Sequence, residues 1–201
     1  MHAIVHPLSD LAESFSGHTL RGALGDIEPG AVHLLQLADT NRPFLQARAG
    51  DLHTARLDGR SLANSLRSGD IVFRTRGQAN LAVLVEAIPD PTVALSPLVV
   101  IRVHDRERVD PGYLHWLLNS EALRDEINRE ARGTIVRMVG AASLRQLPIP
   151  LPPMERQRNV AALARLAQRE NELTVQLGAQ RTDFVNKVLW RATAQGTGWR
   201  R

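Results

Sequence analysis

Between Met154 and about Ala194 the chain runs some 40 residues without a proline, and Leu163, Leu166, Glu170, Leu173, Leu177, Gln180 and Phe184 recur there at alternating spacings of three and four. That spacing is the seam of a coiled coil. At about 1.5 Å per residue the helix would be roughly 60 Å long, more than a domain of this size can cover, so something else must bury the face. Glu170 and Gln180 interrupt the seam, which lowers stability but can fix register and orientation. Gly178 weakens the helix by about 1 kcal/mol. An ordinary amphipathic helix packed on its own domain is the plainer alternative, and the length argues against it.

Immediately before this helix stands Leu147-Pro148-Ile149-Pro150-Leu151-Pro152-Pro153, followed by Met154-Glu155-Arg156-Gln157. Alternating Pro and aliphatic residues pin φ near −65° and cannot donate a full set of ladder hydrogen bonds, so the phrase reads as an extended strap ending at a helix N-terminus. The chain therefore divides into a compact domain over 1–153, a long helix over 154–195 and a frayed tail over 196–201.

The 201 residues allow one ordinary domain plus an extended element. The absence of Cys excludes disulfide frameworks, Cys-zinc sites and thiol nucleophiles. No apolar run approaches the roughly 20 residues that span a bilayer, and Met1-His2-Ala3-Ile4-Val5-His6-Pro7 lacks the pattern of a secretory signal, so the expectation is a soluble, cytoplasmic protein. Of the 25 cations all but Lys187 are Arg, and they lie unevenly. Residues 1–128 carry 12 Arg against 16 Asp and Glu, a net −4, whereas residues 129–201 carry 13 cations against 5 acids, a net +8. A polyanion is a fitting partner for the second part.

Within the first 153 residues the pattern is strand-rich and then helical, which favours an α+β fold over a βαβ-type parallel sheet. His6 to Gly17 reads as a short strand or helical opening, Ala31–Leu37 as a half-buried strand, and Asp39-Thr40-Asn41-Arg42-Pro43 as a turn. Leu62–Asp70 gives a brief helical turn and then a tight turn. Ile71-Val72-Phe73 and Leu81–Val85 form the arms of a hairpin with a polar tip. Leu98–Val103 is apolar but for Arg102, as in a strand buried on both faces. Asp110 caps a helix with Pro111 at its first position, and a second helix runs from Ser120 to Arg132 and ends at Gly133.

Two stretches suit nucleic acid. Ile71–Gly77 delivers Arg74 and Arg76 two positions apart, on one face of a strand, with Gln78 beyond them. Arg pairs bidentately with phosphate or a guanine edge, and Gln reads adenine. The plainer alternative is a solvated hairpin face. Arg132, Gly133, Thr134 and Arg137 offer backbone N–H groups, a hydroxyl and guanidinium groups to a phosphate. A Gly C-cap followed by a strand would also account for them.

Catalysis finds little footing. The seven His residues show no metal-ligand pattern beyond His2 and His6, so no metal is expected. A nuclease site pairing a Lys with two carboxylates has only Lys187, deep in the long helix. No glycine-rich nucleotide loop, Walker loop or Gly-x-Ser-x-Gly elbow occurs, and no cofactor is expected.

Taken in order, Leu66-x-x-Gly69-Asp70-Ile71-Val72-Phe73-x-x-x-Gly77, Val109-Asp110-Pro111-x-Tyr113-Leu114, Leu118-Asn119-Ser120, Gly133-Thr134, Leu144-x-x-Leu147-Pro148-Ile149-Pro150-Leu151-Pro152-Pro153 and Gln157 resemble the specificity (S) subunits of Type I restriction-modification systems over about residues 60–160. The resemblance implies a target recognition domain that grips double-stranded DNA and a helix that spaces half-sites and binds methyltransferase (M) subunits. Adenine N6 methylation, and restriction where an R subunit joins, would belong to those partners. The S subunits of this family carry two recognition domains separated by two helices in antiparallel pairing, whereas this chain has one of each and resembles a half subunit. A homodimer through Leu163, Leu166, Leu173, Leu177 and Phe184 would restore the pair, and its symmetry would call for a split palindromic site. Arg74, Arg76 and Gln78 would then approach bases or phosphates, and Arg132, Gly133, Thr134 and Arg137 would hold the backbone. A recognition-domain relic that joins a complex without reading DNA is the competing reading.

Overall fold

A computed structural model describes residues 4–20, 30–57, 59–75, 81–130 and 141–194, without the side chains of residues 60, 61, 128–130 and 194. Its strands are β1 (Ile4–Pro7), β2 (Ala12–Ser16), β3 (Val32–Leu35), β4 (Phe44–Gln46), β5 (His53–Ala55), β6 (Ile71–Arg74), β7 (Ala82–Ala87), β8 (Thr92–Ala94), β9 (Leu98–Val103) and β10 (Pro148–Leu151). Its helices are α1 (Gly59–Leu62), α2 (Pro111–Leu118), α3 (Glu121–Glu130), α4 (Ala141–Arg145) and α5 (Met154–Ala194). Three sheets form, in the orders β2-β9-β6-β7-β4, β5-β3-β8 and β1-β10. The β4/β7 and β3/β8 pairs are parallel and the others antiparallel, so the fold is α+β with mixed sheets. The chain separates into two compact units, Met1–Ala161 and Ala162–Arg201.

The interior strands of the five-stranded sheet are apolar along most of their length because each of their faces meets a different core. Alternate side chains point to opposite faces. Ile71, Phe73, Val99, Ile101 and Val103 join Leu114 and Leu118 of α2, Leu123 and Ile127 of α3, and Leu144 and Ile149 in one core. Val72, Val83, Val85, Leu98 and Val100 pack with Leu35, Leu45 and Leu66 in a second. The expected hairpin pairs Ile71 with Leu84, Val72 with Val83 and Phe73 with Ala82. Its tip, residues 76–80, lies outside the described residues.

The Gly69-Asp70 turn anchors the start of β6. Gly69 has φ of 88°, a left-handed conformation that costs glycine little and other residues more. Asp70 is fully buried, accepts the Arg67 backbone N–H at 2.8 Å and takes the fork of Arg102 at 2.9 Å from Nε and 2.7 Å from Nη2. Arg102 also donates to the Ser65 carbonyl at 2.8 Å and lies over the Phe15 ring. Its bond to Asp70 raises the Arg102 pKa above the ordinary value, against the effect of burial.

Proline-rich as it is, the strap pairs as a strand. β10 runs antiparallel to β1 with His6 opposite Ile149 and Ile4 opposite Leu151. An antiparallel ladder uses the N–H of every second residue, and Pro148 and Pro150 alternate with the two residues that carry one. Tyr113 of α2 donates its hydroxyl to the Pro150 carbonyl at 2.6 Å. The cap expected for α2 is present, Asp110 Oδ1 accepting the Tyr113 N–H at 2.9 Å. Gln157, 1% exposed, closes the arrangement: its Oε1 accepts the Asp110 N–H at 3.0 Å, and its Nε2 donates to Arg108 at 3.1 Å and Pro152 at 2.9 Å. Gly112 lets α5 come close, since a Cβ there would stand 3.0 Å from that of Ala161. Val160 and Ala161 add to the first core.

Candidate nucleic-acid interface

Arg74 is the one residue of the two basic sets that falls among the described residues. Arg76 and Gln78 on the hairpin tip, and Arg132, Gly133, Thr134 and Arg137 after α3, lie outside them. β6 ends with the Arg74 N–H bonded to the Leu81 carbonyl at 3.0 Å. The half-buried side chain turns toward the segment before β4, and Nη1 donates to the Thr40 carbonyl at 3.2 Å and to Asn41 Oδ1 at 3.1 Å. Its Nε is buried without a partner. Through Nη1, Arg74 holds this loop to the end of β6.

The loop is more than the turn that its sequence predicts. It begins with a 3-10 turn, Leu37–Thr40, in which the Gln36 N–H bonds to Asp39 Oδ2 at 2.8 Å and Thr40 Oγ1 donates to the Leu37 carbonyl at 2.8 Å. Asn41 Nδ2 donates to the Ala38 carbonyl at 2.6 Å, so both ends of that amide are engaged. Arg42 follows, exposed, between Asn41 and Pro43. The Asp-Thr-Asn-Arg-Pro composition marks the turn, but the contact with Arg74 spans 33 positions in sequence and leaves no local trace.

The Leu-Asn-Ser phrase supports the same hairpin from the other end. Asn119 accepts the Ala82 N–H at 3.1 Å and donates to the Ala82 carbonyl at 2.9 Å, pinning the first residue of β7 to the end of α2. Ser120 Oγ caps α3 through the Leu123 N–H at 3.4 Å. His115 packs between α2 and the sheet with its ring 5.0 Å from that of Phe44. Burial pushes its pKa down to about 4, and the nearby carbonyls of Ala82 and Pro43 oppose this weakly.

Among the described residues no group of three or more His, Cys, Asp or Glu could hold a metal. Lys187 is exposed and paired with Asp183 at 2.6 Å. No helix among the described residues is long and apolar enough to cross a membrane. In the second unit the apolar seam of α5 is open to solvent: Leu163 is 67% exposed, Leu166 68%, Leu173 48%, and Leu177 and Phe184 66% each.

No family model matches the chain, and no curated protein matches it. Solved structures do, and they come from Type I restriction-modification systems, two of the three below being specificity subunits. A chain from a structure described as underlying complex assembly and conformational transition of the type I R-M system aligns with a TM-score of 0.68 at 16% identity, over 92% of this chain and 43% of that one. The HsdS subunit from Thermoanaerobacter tengcongensis aligns with a TM-score of 0.59 at 17% identity, over 83% of this chain and 37% of that one. The Type-I restriction-modification system S subunit from M. genitalium gives 0.56 at 15%, over 90% and 43%. The chain thus has the fold of these subunits and spans less than half the length of each.

Proposed function

We propose that this chain is a half-length specificity subunit of a Type I restriction-modification system. Its target recognition domain, residues 1–153, binds double-stranded DNA, and its helix, residues 154–195, joins two copies and carries the M subunits; residues 196–201 are a tail. The observation that supports this best is the alignment of nearly the whole chain, domain and long helix together, with S subunits twice its length. A second support is that the sequence phrases shared with that family take up one connected structure: Asp110, Tyr113, Pro150, Pro152 and Gln157 bond to each other where the helix begins. Two copies present two symmetric readers, so the target is a split palindrome.

In this reading the protein performs no chemistry and uses no cofactor or metal. Adenine N6 methylation is the work of the M subunit, and an R subunit adds translocation and cleavage where the system restricts. Arg76 and Gln78 on the hairpin tip reach base edges. Arg132, Gly133, Thr134 and Arg137 hold phosphates, and Arg74, whose Nη1 is bonded to Thr40 and Asn41, approaches bases or phosphates with them.

The test is selection from a randomised duplex library, followed by salt titration on the enriched site. A split symmetric motif should emerge, and log affinity should fall against log salt with a slope of about −0.9 per phosphate contact. Arg137→Ala should reduce that slope by about one contact and weaken all sequences alike, whereas a change at Gln78 should relax the motif. Binding without sequence preference would refute the reading in favour of a relic interaction module.

A further inference from the structure

The five-stranded sheet brings an uncommitted cation to the end from which the β6–β7 connection leaves. β4 runs parallel to β7 with Phe44 opposite Leu84, and the Leu84 N–H bonds to the Pro43 carbonyl at 2.9 Å. The residues just before β4 therefore stand level with Ala82, which lies opposite Phe73 near the end of β6. Arg42 is one of them. Its side chain is exposed, and among the described residues it has no hydrogen-bond or ion-pair partner. Residues 1–128 carry a net −4, so a cation there that no acid holds stands out.

The backbone is held on both sides of Arg42. Asn41 donates to the Ala38 carbonyl at 2.6 Å and accepts from Arg74 Nη1 at 3.1 Å, while Arg74 also reaches the Thr40 carbonyl at 3.2 Å. Pro43 has a fixed φ and an engaged carbonyl. Asp39, the nearest acid in sequence, is turned back onto the Gln36 N–H at 2.8 Å. From α2, Asn119 fixes the neighbouring strand through both backbone groups of Ala82, at 3.1 and 2.9 Å. Ordering an exposed loop costs conformational entropy, and here that cost is met within the fold, so a ligand that meets Arg42 need not order the loop again.

We infer that the Arg42 guanidinium holds a backbone phosphate of duplex DNA at the foot of the β6–β7 connection, whose Arg76 and Gln78 do the base reading. The inference rests on the DNA-binding reading above and adds a residue to it. A phosphate suits Arg42 better than a base edge on two counts. The segment is tied back to the sheet at Thr40, Asn41 and Pro43, so Arg42 stands at the foot of the connection and not out along it. An element that enters a groove brings its foot level with the sugar-phosphate chains that wall the groove. The neighbouring Asn41 amide, a side chain of the type that reads adenine, is engaged at both ends, so it cannot share a base edge with Arg42. A lone guanidinium on a fixed backbone positions the duplex without reading it.

Full-length Arg42→Ala and Arg42→Lys proteins test this by fluorescence anisotropy against the duplex enriched by selection and against a random duplex of equal length. No described bond depends on the Arg42 side chain, so both variants should keep the wild-type Tm. Loss of one counterion-releasing contact should flatten the log–log salt slope by about 0.9, which is about eightfold in affinity at about 0.1 M monovalent salt. Arg42→Ala should show that loss equally on both duplexes and leave the selected motif unchanged, and Arg42→Lys should keep the wild-type slope. Wild-type slope and affinity in Arg42→Ala, where the wild type itself binds, would overturn the contact and leave the DNA-binding reading standing. A changed motif at the wild-type slope would overturn the phosphate assignment. A wild-type protein that binds neither duplex would overturn the contact together with the reading it rests on.

Discussion

Gln157→Leu preserves the volume of a side chain that is 1% exposed and removes three hydrogen bonds at once. The Asp110 N–H loses its acceptor and the Arg108 and Pro152 carbonyls lose their donor, all in part-buried settings. An unmet buried group costs about 1–3 kcal/mol, and carbonyls that water can reach cost less, so the total should be about 3 kcal/mol. For a chain of this size that lowers Tm by about 6–12 °C. Urea unfolding followed by circular dichroism and by tryptophan fluorescence measures it. Gln157→Glu adds a sharper test. It retains the acceptor for Asp110 but turns a carboxylate toward two carbonyls, while the protonated acid can still donate to one. Its folded-state pKa is therefore raised, so the folded state holds the proton over a pH range where the unfolded state has lost it. Relative to wild type, Gln157→Glu should be least damaging below about pH 4.3, the unfolded carboxyl pKa, and should lose stability as pH rises through its folded-state value. Loss of less than about 0.5 kcal/mol in Gln157→Leu, within the range of ordinary surface substitutions, would refute the role assigned to this residue.

Two further perturbations follow from buried charge chemistry. Because His115 is neutral when folded, with a pKa lowered to about 4, and takes up a proton near pH 6.5 when unfolded, stability should fall by up to about 3 kcal/mol as pH drops from 6.5 to 4 and level off below. His115→Leu should flatten that window in urea midpoints measured across pH, and an unchanged pH profile would sink the assignment. Asp70→Ala strips the nearer carboxylate from the Arg102 guanidinium, whose side chain is 14% exposed, leaving it the exposed Glu13 at 3.7 Å, and should cost about 3 kcal/mol in chemical denaturation. Asp70→Ala combined with Arg102→Met should recover part of that loss, and strict additivity of the two changes would argue against the pair.

What the sequence revealed was local. Asp110-Pro111 specifies the start of α2 through a cap three residues long, the alternating prolines limit the strap to extended backbone, and the Pro-free seam defines α5. The Leu98–Val103 run showed its double burial because apolar continuity has no other simple cause. What stayed hidden depended on partners distant in the chain. Nothing near Gly69-Asp70 announces that Arg102, 32 positions on, docks on Asp70. The bonds from Arg74 to Thr40 and Asn41 join segments 34 and 33 positions apart, which no local pattern marks. The ladder between β1 and β10 joins the two ends of the domain, and the parallel β4/β7 and β3/β8 pairs need crossovers that no residue pattern marks. Polar groups that close long loops are seen only when the loops are closed.

The central claim is that this chain chooses where a partner methylates DNA. Single-molecule mapping of N6-methyladenine in the native host, with and without this gene, tests it most directly. Loss of methylation at one split, symmetric motif, with all other motifs unchanged, is the predicted result. A methylome identical in the two strains would contradict the specificity role.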